Sequence, residues 1–467
     1  MKIKAFHAYD IRGKYNVDFD KDIVYKVGYF LPELLGAQSV AVGRDMRVSS
    51  DEIHQYLLKG ITDAGADVYD LGLATTPYVY YATAAKGFKA SVQITASHNP
   101  KSDNGLKVSR ENALPVGYDT GLGTIEKWIL EGKEILPKEK RGDVYPLDIR
   151  EEYLSFQKQY LGSLEGLNIA MDLSNGASAL FVKELFGDNV HYICDQMDGN
   201  FPCHEPNPLV AENRQMLKEY LLENKCDIGV IYDGDADRVM FIDERGEFIS
   251  PDLMIALLGQ FFVGGIGTSA AAESRRKIMA AEGGQKIDAL QDIRSSKAIG
   301  EYLAPMGVTI NTWKVGRAYA APRLRDIDCL FGGELAGHYY FKDFHYSDSG
   351  IMASLIILDI VAEFHRKGRT VSQLIGEIEK YCNSGEINFK IDRKQEAMDA
   401  VRDYFLSNEE AVAQYDFDGY RVEFPQWWFN IRPSNTEPYL RFLCEASTAE
   451  LLDEKVSKVR EIVEGLM

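Results

Sequence analysis

The chain has 467 residues, 45% hydrophobic and 26% charged, with a formal net charge of −19. That length exceeds one ordinary domain and predicts three or four, and the charge excludes nucleic acid and anionic membranes as partners. A phosphorylated ligand would be repelled at long range, so any phosphate site must be locally basic.

The six cysteines (Cys194, Cys203, Cys226, Cys329, Cys382, Cys444) form no CxxC pair and read as free buried thiols in a reducing compartment. The start, residues 1–7, lacks a signal-peptide apolar core. The longest apolar stretch, 253–267, is glycine-rich, broken by Gln260 and too short to span a bilayer. A soluble cytoplasmic protein is expected.

Apolar β-branched runs alternate with helix-period segments, the pattern of α/β layers. Residues 40–43 read as a strand, followed by a helix from about Ser49. Residues 90–94 alternate as a strand and lead into Thr95-Ala96-Ser97-His98-Asn99-Pro100. Ser97 on that loop could be a nucleophile or carry a phosphoryl group, or simply be a turn residue. Lys107 sits in the next strand-like run. The charged stretch 131–145 predicts a linker near 147. Residues 169–171 and 287–290 again read as strands, each followed by an aspartate, a small polar segment and a helix. Asp45, Asp172 and Asp292 recur about 120 residues apart, a period that suggests related domains, not a solenoid.

The most informative segment is Asp233-Gly234-Asp235-Ala236-Asp237-Arg238, directly after the apolar strand 228–232. On extended backbone, carboxylates at i, i+2 and i+4 point the same way. They repel one another unless a cation sits among them, and oxygen-only ligands suit Mg²⁺. An EF-hand loop would need glycine where Arg238 stands. Phosphatases with a nucleophilic aspartate also use a strand-end DxD, so that reading stays open on this segment alone.

Beyond it, Asp243-Glu244-Arg245-Gly246 reads as a turn and Pro251 opens a helix, which places a boundary near 248. Gly332-Gly333-Glu334-Leu335-Ala336-Gly337-His338 is a glycine-rich loop with one acid and one imidazole. Glu334 could accept two hydroxyls, and His338 could exchange a proton or donate to phosphate. A long apolar helix runs from about Asp348 to Lys367-Gly368. Arg432-Pro433-Ser434-Asn435-Thr436-Glu437-Pro438 follows the aromatic strand 427–431 and has the donors of a phosphate cradle, with Arg441 nearby. Walker and dinucleotide fingerprints are absent. A last helix carries an expected capping box, Ser447 with Glu450, and an apolar face of Leu452, Val456, Val459, Val463 and Leu466.

These four loops, in this order, closely resemble the α-D-phosphohexomutase family, phosphomannomutase/phosphoglucomutase type, over almost the whole chain from Ala8-Tyr9-Asp10-Ile11-Arg12-Gly13 to Arg441. The resemblance implies three related α/β domains (1–147, 148–247, 248–367) and a smaller α+β domain (368–467) around a central cleft. It implies reversible phosphoryl transfer between O1 and O6 of a hexose phosphate, through a phosphoserine and a hexose 1,6-bisphosphate that also serves as activator. Ser97 would bear the phosphoryl group and, with Asp233, Asp235 and Asp237, hold Mg²⁺. Lys107 would be the general base, with a lowered pKa, and His98 and Arg238 would act beside it. Tyr9, Arg12, Arg317, Glu334, His338, Arg432, Ser434, Asn435, Thr436 and Arg441 would bind substrate. A monomer or homodimer is expected.

Three departures from the family pattern stand out. Ala336 replaces a serine, Arg317 a histidine, and 264–284 is unlike the strand expected there. A phosphoglucosamine mutase ranks lower because its sugar loop typically has glutamine where this chain has Leu335. A Mg²⁺-dependent sugar phosphatase would release phosphate steadily, and a silent sugar-phosphate-binding protein would need no nucleophile.

Overall fold

The computed structural model of the chain describes residues 2–282, 287–434 and 439–466. Four sheets organise it. The first three share one topology: a central strand lies parallel to both neighbours, and an antiparallel strand returns beside one of them. In the first, Ser39–Arg44 lies between Asp67–Leu73 and Ala90–Ile94, and Asp103–Arg110 returns. In the second, Ile169–Asp172 lies between His191–Ile193 and Ile228–Tyr232, and Val239–Asp243 returns. In the third, Ile287–Asp292 lies between Val308–Trp313 and Phe331–Gly333, and Tyr339–Phe341 returns. The strands Ala90–Ile94, Ile169–Asp172, Ile228–Tyr232 and Val239–Asp243 are buried throughout, as strands packed on both faces must be.

The repeated aspartates close the central strands in the same way. The backbone N–H two residues on donates to each: Arg47 to Asp45 (3.0 Å), Ser174 to Asp172 (2.8 Å) and Arg294 to Asp292 (2.6 Å). Such a turn stops the strand and aims the next side chains at the sheet's C-terminal edge, where α/β sites form.

The fourth sheet is antiparallel. It runs from Cys382–Asn383 through Leu440–Ala446, Trp427–Pro433 and Tyr420–Glu423 to Ala413–Tyr415. The helices Lys394–Asn408 and Ala449–Glu464 close a separate core around Phe405, Trp427, Phe429 and Val459. By contrast, the second and third sheets share one continuous core, which also takes in Val371, Leu374, Ile375 and Ile378 of the helix Val371–Ile378.

Three local expectations change. The last helix is capped by Thr448, which accepts from Leu451 N at 3.2 Å, and not by Ser447; Ser447 is held to the sheet by donating to Gln426 O. The atypical 264–284 segment contains the helix Ala270–Glu282, consistent with its alanine content. The charged stretch before residue 147 ends in a strand, Val144–Pro146, on the edge of the first sheet. No helix of the described residues is long and apolar enough to cross a membrane.

Candidate active site

The three aspartates converge, but not by strand alternation. The segment between the strands Ile228–Tyr232 and Val239–Asp243 is a turn in which Ala236 takes φ 62°. It brings ligand oxygens of Asp233, Asp235 and Asp237 within 4.8 Å of one another, with all three side chains buried. At that spacing each like-charge pair costs about 3 kcal/mol even at an effective dielectric of 20. Lys107 offsets part of this by donating to Asp235 Oδ2 (2.6 Å) and to Asp237 Oδ2. Thr76 Oγ1 also donates to Asp235. Among the described residues, Asp235 Oδ1 and Asp237 Oδ1 accept no hydrogen bond although buried. Burial, then Asp235 and Asp237, hold the Asp233 carboxyl well above the usual carboxylate range. Unpartnered carboxylate oxygens in a buried cluster fit a hard divalent cation.

Ser97 faces this cluster. Its Oγ donates to Asp233 Oδ2 at 2.8 Å, and the residue is buried with φ 51°. The left-handed backbone is held from behind by Arg47. That guanidinium donates to the carbonyl oxygens of Ser97 (2.7 Å), Asn99 (2.8 Å), Pro100 (2.8 Å) and Asp103 (3.0 Å). The two loops touch closely: a Cβ on Gly234 would lie 2.6 Å from Ser97 O, so only glycine fits there. His98 Nδ1 is 3.4 Å from Ser97 Oγ. Burial and the cations Arg238, Arg12 and Lys107 push the His98 pKa far down, leaving a neutral ring.

Arg238 lies at 3.8 Å from Asp233 and 4.0 Å from Asp237. Its backbone bridges to His338, tying the aspartate loop to the glycine-rich loop. Arg12 pairs with Asp10 and donates to Asn99 Oδ1 at 3.1 Å. Among protein groups alone the Lys107 pKa is not lowered; the expected lowering rests on a neighbouring cation. Burial alone would lower it, but Asp235 and Asp237 outweigh burial and hold it above its ordinary value.

The opposite wall is built by the third and fourth sheets. Glu334 is buried, accepting from Tyr340 OH (2.6 Å) and Gly316 N (3.2 Å); burial raises its pKa. Gly316, at φ 104°, packs under the Tyr9 ring, and an added Cβ would lie 3.1 Å from it. His338 Nδ1 bonds to Asp348 Oδ2 at 2.6 Å. Arg317 donates to the other Asp348 oxygen at 2.9 Å and stacks on Tyr80 at 3.7 Å. Arg432 is buried 3.8 Å from Asp418, and Arg441 lies 3.3 Å from Glu386. Ser434 borders the same space, while Asn435 and Thr436 lie outside the described residues.

Tyr9, Arg12, His98, Lys107, Asp237, Arg238, Arg317, Glu334, His338, Arg432, Ser434 and Arg441 line one cleft of about 840 Å³, fed by all four sheets, while Ser97, Asp233 and Asp235 are buried beneath that lining. Arginines and lysines outnumber carboxylates in its lining, so a locally basic site sits in a chain of net charge −19. Sequence reasoning missed Arg47, Thr76, Tyr80, Arg294 and Asp348. Arg294, on the cleft wall, donates to Asp292 Oδ2 at 2.7 Å. The repeated Asp-x-Arg at two strand ends was the available signal for Arg47 and Arg294.

Fold and cleft together define an enzyme whose basic cleft suits an anionic ligand. The profiles of phosphoglucomutase/phosphomannomutase alpha/beta/alpha domains I, II and III match residues 3–135, 151–246 and 270–381, and that of the C-terminal domain matches 386–462. A phosphomannomutase of Escherichia coli strain K12 is 33% identical over 458 residues, covering 95% of each chain. The crystal structure of a phosphoglucomutase/phosphomannomutase family protein from Burkholderia thailandensis superposes with a TM-score of 0.85 at 24% identity, over 100% of this chain and 98% of that one. An Aspergillus fumigatus N-acetylphosphoglucosamine mutase, solved in complex with GlcNAc-6P and magnesium, superposes at 0.60 with 16% identity, over 99% and 96%. The chain belongs to the phosphoglucomutase/phosphomannomutase family and is a phosphohexomutase, an isomerase.

Proposed function

We propose that the protein interconverts hexose 1-phosphates and 6-phosphates of the glucose and mannose type through a phosphorylated Ser97 and a hexose 1,6-bisphosphate. The observation that carries this reading is the buried Ser97 Oγ, 2.8 Å from Asp233, beside the unpartnered oxygens of Asp235 and Asp237. Asp233, Asp235 and Asp237, with an oxygen on Ser97, would hold Mg²⁺, which when bound neutralises charge on a transferring phosphoryl group.

The chain's own residues divide the remaining work. Arg47 fixes the carbonyls of the Ser97 loop, so the hydroxyl is presented in one geometry. Lys107 and Arg238 face the same space and stabilise negative charge on the phosphoryl oxygens. With its carboxylates engaged by a cation, Lys107 would lose the partners that hold its proton, and would then take the proton of the attacking hydroxyl. Glu334 accepts from two sugar hydroxyls. His338, aligned by Asp348, contacts the sugar or its phosphate. Arg432, Ser434 and Arg441 grip the phosphate that is not reacting, and Arg317, paired with Asp348, faces the same cleft. The bisphosphate turns around between the two transfers, so the far grip must release. The separate core of the last sheet supports a rigid-body movement of that domain. We place its hinge after Ile378, because Val371–Ile378 packs in the large core.

The reading is tested by incubating the protein with mannose 1-phosphate or glucose 1-phosphate, Mg²⁺ and a trace of hexose 1,6-bisphosphate. Expected are conversion of both sugars and an intact mass heavier by one phosphoryl group, mapped to Ser97. Steady release of inorganic phosphate instead would assign a phosphatase.

A further inference from the structure

Asp172 holds in the second sheet the place of Asp45 and Asp292 in its sisters, but its partner differs. In the first and third sheets, the residue two positions on is an arginine that returns to the second carboxylate oxygen. Arg47 Nε lies 3.2 Å from Asp45 Oδ2, and Arg294 Nη2 lies 2.7 Å from Asp292 Oδ2. In the second sheet that residue is Ser174, whose hydroxyl turns away and donates to Tyr232 O at 2.6 Å. The fully buried Asp172 therefore faces His204 Nε2 at 3.0 Å and the thiol of Cys194. One ligand atom from each of the three lies within 4.8 Å of the others, and the Cys203 thiol is a neighbour of the Cys194 thiol.

The imidazole is set for coordination. His204 Nδ1 lies 2.9 Å from the carbonyl oxygen of Glu205, which can only accept, so Nδ1 carries a proton and Nε2 is the atom turned toward Asp172. A backbone carbonyl on the far ring nitrogen is how metal-ligating histidines are commonly oriented. Asn175 ties both cysteine segments to the Asp172 turn. Its N–H donates to Cys194 O at 2.7 Å, and its Oδ1 accepts from Cys203 N at 3.2 Å. A mixed thiol, imidazole and carboxylate set suits Zn²⁺, whereas the all-oxygen set of Asp233, Asp235 and Asp237 suits Mg²⁺.

We propose that Asp172, Cys194 and His204, with the Cys203 thiol as fourth donor, form a structural Zn²⁺ site behind the aspartate loop. The cation stands where a guanidinium stands in the sister sheets. On binding, each thiol gives its proton to solvent, as does His204 Nε2 if it carries one; nothing is oxidised or reduced. Two bonds connect this site to the active one. Ser174 Oγ donates to Tyr232 O, and Ala177 N donates to Gly234 O at 2.9 Å. Zn²⁺ thus braces the segment that carries Asp233.

The test uses full-length protein, reduced and freed of metal with a chelator, then saturated with Mg²⁺ and titrated with Co²⁺ and Zn²⁺. One equivalent of Co²⁺ is expected to give thiolate-to-cobalt charge-transfer absorption that Zn²⁺ displaces, and Zn²⁺ is expected to raise the melting temperature. Cys194→Ser and His204→Gln should each weaken Zn²⁺ affinity by at least about 100-fold. Wild-type protein lacking the charge-transfer absorption, or Cys194→Ser retaining it, overturns the site. So does a mass two hydrogens lower under the titration conditions, because the two thiols would then be joined as a disulfide. The wild-type titration stands alone, so a variant that misfolds does not blunt the result.

Discussion

The two ends of the cleft meet an anionic ligand with opposite charge. At the Ser97 end, three buried carboxylates crowd together, and two of their oxygens accept nothing among the described residues. At the far end, Arg294 and Arg432 face the ligand space, each with an aspartate nearby: Asp292 and Asp418. The first end is incomplete as protein and calls for a cation. The second is charge-balanced in itself and presents arginine donors, which in the proposed reading hold phosphate. The contrast separates chemistry from grip: a cation matters most where charge moves, and fixed guanidinium groups suffice where it does not.

The sharpest way to break that contrast is at Ser97. Ser97→Ala should lower kcat by at least ~10³-fold, the scale of a lost catalytic group, with no phosphoryl mass on the protein. Near-normal turnover would remove the distinction between the ends. Next is Asp235→Asn, which should shift the Mg²⁺ titration midpoint upward by about 100-fold. An unchanged midpoint would mean the carboxylate end does not need its cation. At the grip end, Arg294→Ala should raise KM about tenfold while kcat changes less, as for loss of uniform binding. An equal fall in kcat and kcat/KM would place Arg294 in the chemistry instead.

The smallest effect concerns how the grip is mounted. Glu445, on the fourth sheet, accepts from Ser296 Oγ (2.6 Å) of the third domain and from Trp428 Nε1 (2.7 Å). Burial, then Asp252, pushes its pKa from 4.5 up to about 7. The folded state thus keeps a proton that the unfolded chain releases. That contribution to stability is complete below about 4.5 and is lost as pH rises through about 7. Glu445→Gln should flatten the fall in melting temperature over this window. An unaltered slope would show that Glu445 is not the titrating group.

The candidate site was legible because each of its loops is short and continuous. Asp233, Asp235 and Asp237 lie within five residues after an unbroken apolar strand, so their clustering needs only a local turn. The sister domains were legible from Asp45, Asp172 and Asp292, because each caps a central strand through its own backbone. Other features were hidden. Lys107 is named from the family resemblance, but its meeting with Asp235, 128 positions away, appears only in the fold. Arg47 reads as a turn arginine until four carbonyls gather round it. Thr448, not Ser447, caps the last helix, and the Ser447 backbone N–H extends the sheet pairing to Gln426 O.

The sequence by itself determined the strands, the loops that follow them and the residue types those loops carry, since these depend on neighbours along the chain. Tertiary structure alone decided which loops face each other, which oxygens stay unpartnered and which arginines meet the ligand. Burial and charge at those points arise from contacts between segments a hundred or more residues apart, and no local pattern encodes them.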